Sequence, residues 1–262
     1  MDTWEQIKLE RDETYRWQIG PLSLWAQLQD DEYLITSQYT DEETDESQCG
    51  PVSSDQVPED LTWSRFIVRE PSIGIRLRPA LPDRPVVVSP ELPIKLTSNS
   101  KAVFYVSIPV WVQVTTGKGE ESLLMEIPSR VLSNTWFGDT MTGELCYDLS
   151  TRARREFEKE TLIDHLVLCP VSVRNDGSDP LDFQKLSVHV ENLRVYRGKR
   201  RLWSNEVGIT YMGGDQPAEI HYSERKPNFE EGCELVNRER VPVQRSILRK
   251  SFGFIKSFTV SD

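Results

Sequence analysis

The sequence has 262 residues, 37% of them hydrophobic and 28% charged. That is enough apolar material to build one large core or two smaller ones, and it argues against wholesale disorder. A net charge of −11 argues against general nucleic-acid binding, because the chain as a whole repels phosphates.

The first residues, MDTWEQIKLERDETYRW, are charged throughout and read as neither a signal peptide nor a membrane span. No run of about 18 apolar residues follows anywhere. The four cysteines, Cys49, Cys146, Cys169 and Cys233, are scattered without a CxxC pair, so the expectation is a cytoplasmic protein with reduced thiols.

Period-two alternation and β-branched or aromatic runs then dominate. Strands are expected over 23–28, 33–37, 63–69, 73–78, 86–89, 93–97, 102–115, 166–174 and 186–196. Pro109 lies inside the longest run and marks an edge, a bend or a bulge, since proline brings no amide to a ladder. Residues 41–60 carry eight carboxylates and no Lys or Arg, and read as a solvated loop. Residues 151–160, TRARREFEKE, have the composition of a surface helix. Turns are expected at Asn175–Ser178, Arg197–Lys199 and Gly213–Asp215. Strand–NDGSDP–strand, from Val171 to Val190, has the look of an immunoglobulin-like hairpin.

The fold class expected is mainly β: an antiparallel β-sandwich of immunoglobulin-like character, with a β-rich amino-terminal region and a short carboxyl-terminal helix. The expected organisation is an amino-terminal meander over 1–80 containing the acidic loop 41–60, a principal sandwich over 81–225, and a tail over 226–262 with an amphipathic segment.

Three stretches could carry function. The first is 133–149, SNTWFGDTMTGELCYDL, where Asn134, Trp136, Asp139 and Glu144 are candidate binding residues and Asp139 with Glu144 could form an acid–base pair. The bland reading is a packed turn with Trp136 and Phe137 buried and Gly138 or Gly143 at the bend. The second is RVYRGKRR, whose Arg197, Lys199, Arg200 and Arg201 would be displayed at a hairpin tip, either solvated or docking an anion. The third is VPVQRSILRKSFGFIKSF. At helical spacing it gathers an apolar arc bordered by Arg245, Arg249 and Lys256, although Phe252, Phe254 and Phe258 also alternate as a strand would.

No catalytic residue is assigned. The sequence holds no GxSxG, GxGxxG or GxxxxGK[ST]. His165 and Cys169 share one face of a strand but lack two further ligands, so no metal and no cofactor is expected. His189 alternates with Val188 and Val190 and is expected to face solvent.

The block at 133–149, together with CPVSVRN, PLDFQKLSVHVENLRVY, LWSNEV and VPVQRSILRKSFGF, resembles an uncharacterised family of archaeal and bacterial proteins, a domain of unknown function. The resemblance runs from about Trp63 to Phe258. Association of some members with small-conductance mechanosensitive channels implies a cytoplasmic accessory at the inner face of the membrane; the family brings no catalytic assignment. The leading expectation is therefore a non-enzymatic interaction or regulatory module with a protein partner, a membrane channel, and weak contact of the tail with anionic lipid. The alternatives are a small-ligand or carbohydrate binder using Trp136 or Trp203 as a platform, and a hydrolase built on Asp139 and Glu144.

Overall fold

The computed structural model describes residues 2–40, 47–53, 56–69, 74–117, 121–157, 163–214, 218–243 and 247–249. The chain is mainly β, and the described residues form five sheets.

A five-stranded antiparallel sheet is built by β2 (Thr14–Ile19), β3 (Leu22–Gln29), β4 (Glu32–Tyr39), β5 (Gln48–Val52) and β6 (Ser64–Ile67), in the order β5-β2-β3-β4-β6. The stretch read as a solvated acidic loop thus contributes a strand: β5 pairs with β2, Cys49 opposite Trp17. A four-stranded sheet follows, with β1 (Gln6–Ile7), β7 (Ile75–Ala80), β11 (Trp111–Thr116) and β12 (Ser122–Pro128) in the order β1-β7-β11-β12. A second four-stranded sheet orders β13 (Ser133–Phe137), β14 (Glu144–Ala153), β8 (Val86–Pro90) and β17 (Leu186–Val188). A small ribbon pairs β9 (Ile94–Leu96) with β16 (Leu181–Phe183).

The largest sheet has eight strands. Its centre is the 13-residue β15 (Ile163–Asn175), which pairs antiparallel with β10 (Ser100–Pro109) along one edge. Along the other edge it pairs in parallel with β19 (Arg201–Ser204) and then β20 (Val207–Tyr211), which lie one after the other. Beyond β19 come β18 (Val195–Arg197) and β22 (Glu234–Asn237); beyond β20 come β21 (Ala218–Tyr222) and β23 (Ile247–Arg249).

Several expectations change here. The pairings are not all antiparallel: β14–β8, β15–β19 and β15–β20 run parallel. The residues after NDGSDP do not fold back on β15, because β16 pairs with β9 instead. The run 186–196 is not one strand but β17, a 3-10 turn at Val190–Asn192, and β18. The surface helix over 151–160 is not formed in its described part. Residues 151–153 continue β14, and Arg154 bridges to Tyr105. Helix propensity is a weak prior against a strand already anchored by Cys146, Tyr147 and Leu149 in the core. Of the carboxyl-terminal helix, Ile247–Arg249 is instead a strand on β21; Arg245, Lys256 and most of that segment lie outside the described residues.

Pro109 ends β10, and the chain leaves for β11 in another sheet while its inward alternation continues unbroken: Ala102, Phe104, Val106, Ile108, then Val110, Val112 and Val114, all buried. All five sheets contribute to this one core, including Trp17 and Leu24, Leu77, Val86 and Leu186, Leu96 and Leu181, and Val171 and Ile209. Pairings also link the three expected segments, since β7 meets β11 and β22 meets β18.

A strap over residues 237–241 ties the sheets laterally. Asn237 donates to the Pro79 carbonyl at 3.2 Å and to Gln113 at 2.9 Å. Arg240 donates to the Leu81 carbonyl at 2.7 Å, pairs with Glu126 and lies 5.5 Å over the Trp111 ring. Among the described residues no helix is long and apolar enough to cross a membrane.

Phe104 is fully buried where β10 meets the core. Phe104→Ala should cost about 3–5 kcal/mol, measured by urea denaturation. Leu92→Ala, at a side chain 70% exposed, should change stability by less than about 0.5 kcal/mol.

Candidate functional site

β13 and β14 form a hairpin, and its connecting turn holds most of the block at 133–149. Phe137 is buried with Val87 and Cys146, as expected. Trp136 is not buried: 52% of it is exposed, directly opposite the half-exposed Leu145. The expectation that both aromatics are buried therefore fails for one of them. In a strand, neighbouring side chains point to opposite faces, and only the face bearing Phe137 is covered at this end.

The turn is tightly built. Gly138 adopts a φ of 105°, which favours glycine. A side chain on Gly143 would collide with the Trp136 indole nitrogen and with the Asp139 carbonyl. That space lets the indole N–H donate to the Asp139 carbonyl at 3.0 Å. The Asp139 carboxylate accepts the backbone N–H groups of Met141 and Thr142, each at 2.9 Å, and the Thr142 hydroxyl. Asn134 is exposed and accepts from Arg84 at 3.4 Å.

Glu144 turns to the opposite face of this sheet. There it meets His189, which the alternation placed in solvent but which is only 2% exposed. When protonated, its ring donates from Nε2 to Glu144 at 3.3 Å and from Nδ1 to Glu191 at 3.0 Å. Burial alone drives the imidazole toward its neutral form. The hydrogen bonds and charges of Glu144 and Glu191 outweigh that, and the pKa is raised to about 9. Glu191 is itself buried, and its Oε2 has no hydrogen-bond partner among the described residues, so the imidazolium is the charge that offsets it. Burial pushes the neighbouring Cys146 thiol up to about 12, with the Glu144 charge adding to it. An imidazolium charged at neutral pH is no general base, and a thiol this reluctant to ionise is no nucleophile. The Glu–His–Glu cluster is an ionic joint between β14, β17 and the 3-10 turn. Its sequence signal was the His189–Glu191 spacing; Glu144 comes from far along the chain.

The carboxylates of Asp139 and Glu144 are engaged by different partners, one by the turn and the other by His189. The structure joins RVYRGKRR to the chain's own acids. Arg197 pairs with Asp2 and Arg194 makes a two-pronged pair with Glu239. Arg201 is buried, 3.8 Å from Glu230, rather than displayed at the tip. Glu230 also accepts the Arg200 backbone N–H at 3.2 Å, in space that a side chain on Gly198 would fill. Lys199 and Arg200 are exposed. Trp203 offers no platform, being fully buried and stacked under Phe229 at 4.9 Å. Arg249 ends β23 opposite Ala218. Among the described residues, no group of three or more His, Cys, Asp or Glu is placed to hold a metal ion.

The outer face of the eight-stranded sheet carries a feature the sequence reading missed, an open polar groove of about 750 Å³. It runs over β15, β20 and β21 and is bordered by Glu239 of the strap and by Val243 just beyond it.

This β-rich architecture, with an elaborate hairpin and no assembled catalytic constellation among the described residues, belongs to a chain whose family is defined by sequence. The chain is a member of the family of proteins of unknown function DUF432, whose model matches residues 3–256. No curated protein and no solved structure matches it.

The His189 cluster has a pH signature. Its pKa is higher folded than unfolded, so its contribution to stability is full below about 6.5 and is lost as pH rises through about 9. The loss should approach ~3 kcal/mol at most. Unfolding free energy measured from pH 6 to pH 10 should fall across this window in the wild type and much less in His189→Gln.

Proposed function

We propose that the chain is a non-enzymatic interaction module and that the exposed end of the β13–β14 hairpin is the surface it offers a protein partner. The observation that carries this is Trp136, half exposed yet fixed by its indole hydrogen bond to the Asp139 carbonyl. Trp136 and Leu145 lie on the same face of their sheet as Tyr147 and Leu149, which enter the core. The core-facing side of the sheet therefore continues past the core, apolar and uncovered. Met141, 89% exposed in the turn, adds apolar surface at the same hairpin. Rigid tryptophans flanked by aliphatic side chains are the usual anchors of protein interfaces.

The carboxylates of the alternative hydrolase reading are occupied by structural partners, which favours binding over chemistry. The core shared by all five sheets supports a sandwich-like stacking as the scaffold. The partner first to be tested is a small-conductance mechanosensitive channel, with the chain acting as a cytoplasmic accessory whose tail touches anionic lipid.

The test is binding of the purified chain to such a channel in detergent, by biolayer interferometry. The wild type should bind, and Trp136→Ala should weaken binding about tenfold or more while melting within about 2 °C of wild type. Equal binding by both proteins would remove the hairpin from the interface. No binding by the wild type would remove the channel as partner.

A further inference from the structure

The groove on the outer face of the eight-stranded sheet lies apart from the hairpin and stands on different residues. Inward residues of β10, β15, β20 and β21 fill the core: Phe104, Val171 and Val173, Ile209, Ile220. The alternate residues must therefore face outward. The pairing places them in two rows. Lys101, Arg174, Thr210 and, at the far edge, Glu219 lie side by side in one; Val103, Ser172, Gly208 and His221 lie in the next.

Two observations point to a ligand. First, Lys101 and Arg174 are like charges directly opposite each other, an arrangement that weakens a strand pair. Asp176 meets Arg174 at 2.5 Å, but Lys101 has no side-chain partner among the described residues. Arg225, farther along the groove, also lacks a side-chain partner among them. Second, Gly208 sits inside a strand with no conformational or steric need to be glycine. Its φ is not in the left-handed region, and among the described residues an added Cβ would meet only His221 atoms at 3.7 Å, an ordinary contact. A glycine in a strand interior forgoes packing and marks a close approach by something else. Its missing side chain, beside the small Ser172, opens the floor of the groove.

The far end is lined by Glu206 and by Glu224, which has a partner of its own, while Arg194 and Glu239 neutralise one another. The geometry points to a binding site for a small hydroxylated anion, a phosphorylated or carboxylated polyol. Its anionic group lies on Lys101, Arg174 and the Thr210 hydroxyl, and its hydroxyls donate to the Glu206 carboxylate at the far end. Lys and Arg recognise phosphate and carboxylate through charge-assisted hydrogen bonds, and carboxylates accept from hydroxyls.

Isothermal titration calorimetry of the full chain with glucose 6-phosphate and with gluconate separates the two anion types. Saturable binding of either one is expected. It should weaken at least about tenfold in Lys101→Ala and be lost in Gly208→Val, whose side chain fills the floor. Gly208→Val should melt at or above the wild-type temperature, because a β-branched residue suits a strand, so loss of binding there is not loss of fold. Lys199→Ala, at the exposed tip of a different turn, should bind as the wild type does. Binding of neither probe, or binding left intact by Lys101→Ala and Gly208→Val, overturns the assignment.

Discussion

The molecule depends on β15 being paired along both of its edges. Ten of its residues, Leu166 to Asn175, pair with β10, and its other edge is divided between β19 and β20. A backbone this enclosed has its amides and carbonyls satisfied by neighbours, so it can pass through the core with Val167, Cys169, Val171 and Val173 buried at alternate positions. The same alternation sends Ser172 and Arg174 to the outer face. Core and groove are thus two consequences of one strand, and the groove's floor is built on the same paired backbone as the core beneath it.

Around that centre, long-range polar contacts set how the sheets meet. The strap over 237–241 reaches Pro79, Leu81, Gln113 and Glu126, and its Arg240 and Val241 amides donate to the Glu191 carbonyl. Glu191 in turn holds His189, which holds Glu144. A chain of polar contacts, charge-assisted at Glu126 and at His189 and joined through the neutral Glu191 carbonyl, therefore runs from the β11–β12 pair to the root of the β13–β14 hairpin. Such pairs add little when exposed, but the His189 joint is buried and cannot lose one member without stranding the others. The hairpin carrying Trp136 is consequently anchored at its base by an ionic joint and at its tip by the Asp139 turn.

Much of this was legible in the sequence, because β-structure writes itself as alternation. Most expected strands exist near their expected positions, and the turn at Gly138 and the burial of Phe137 follow from local chemistry. Alternation names two faces, however, and does not say which is covered. Trp136 was read as buried for its size, and His189 as solvated because it alternates with valines; both errors have that origin. The stretch at 151–160 misled because helix-forming side chains on its solvent side said nothing about Ala153, whose burial keeps it in a strand. Pairings distant in sequence were invisible, as with Asp2 and Arg197 or Arg194 and Glu239. The groove did leave one readable sign, the glycine in VGITY at a position where strand alternation calls for a side chain.

Charge carries the final step. The chain holds 42 acidic and 31 basic residues, so most cations can find a carboxylate, and the structure shows many that do. Arg65 meets Glu32, Arg76 and Arg78 share Glu121, Arg201 meets Glu230, and Arg240 meets Glu126. Even the basic run at 194–201, which read as a display for an outside anion, is largely joined to the chain's own acids. Lys101 and Arg225 have no side-chain partner among the described residues and share one open groove, beside a strand that gives up a side chain at Gly208. A groove that gathers these two cations beside a strand glycine is the surface on which the proposed anion would sit.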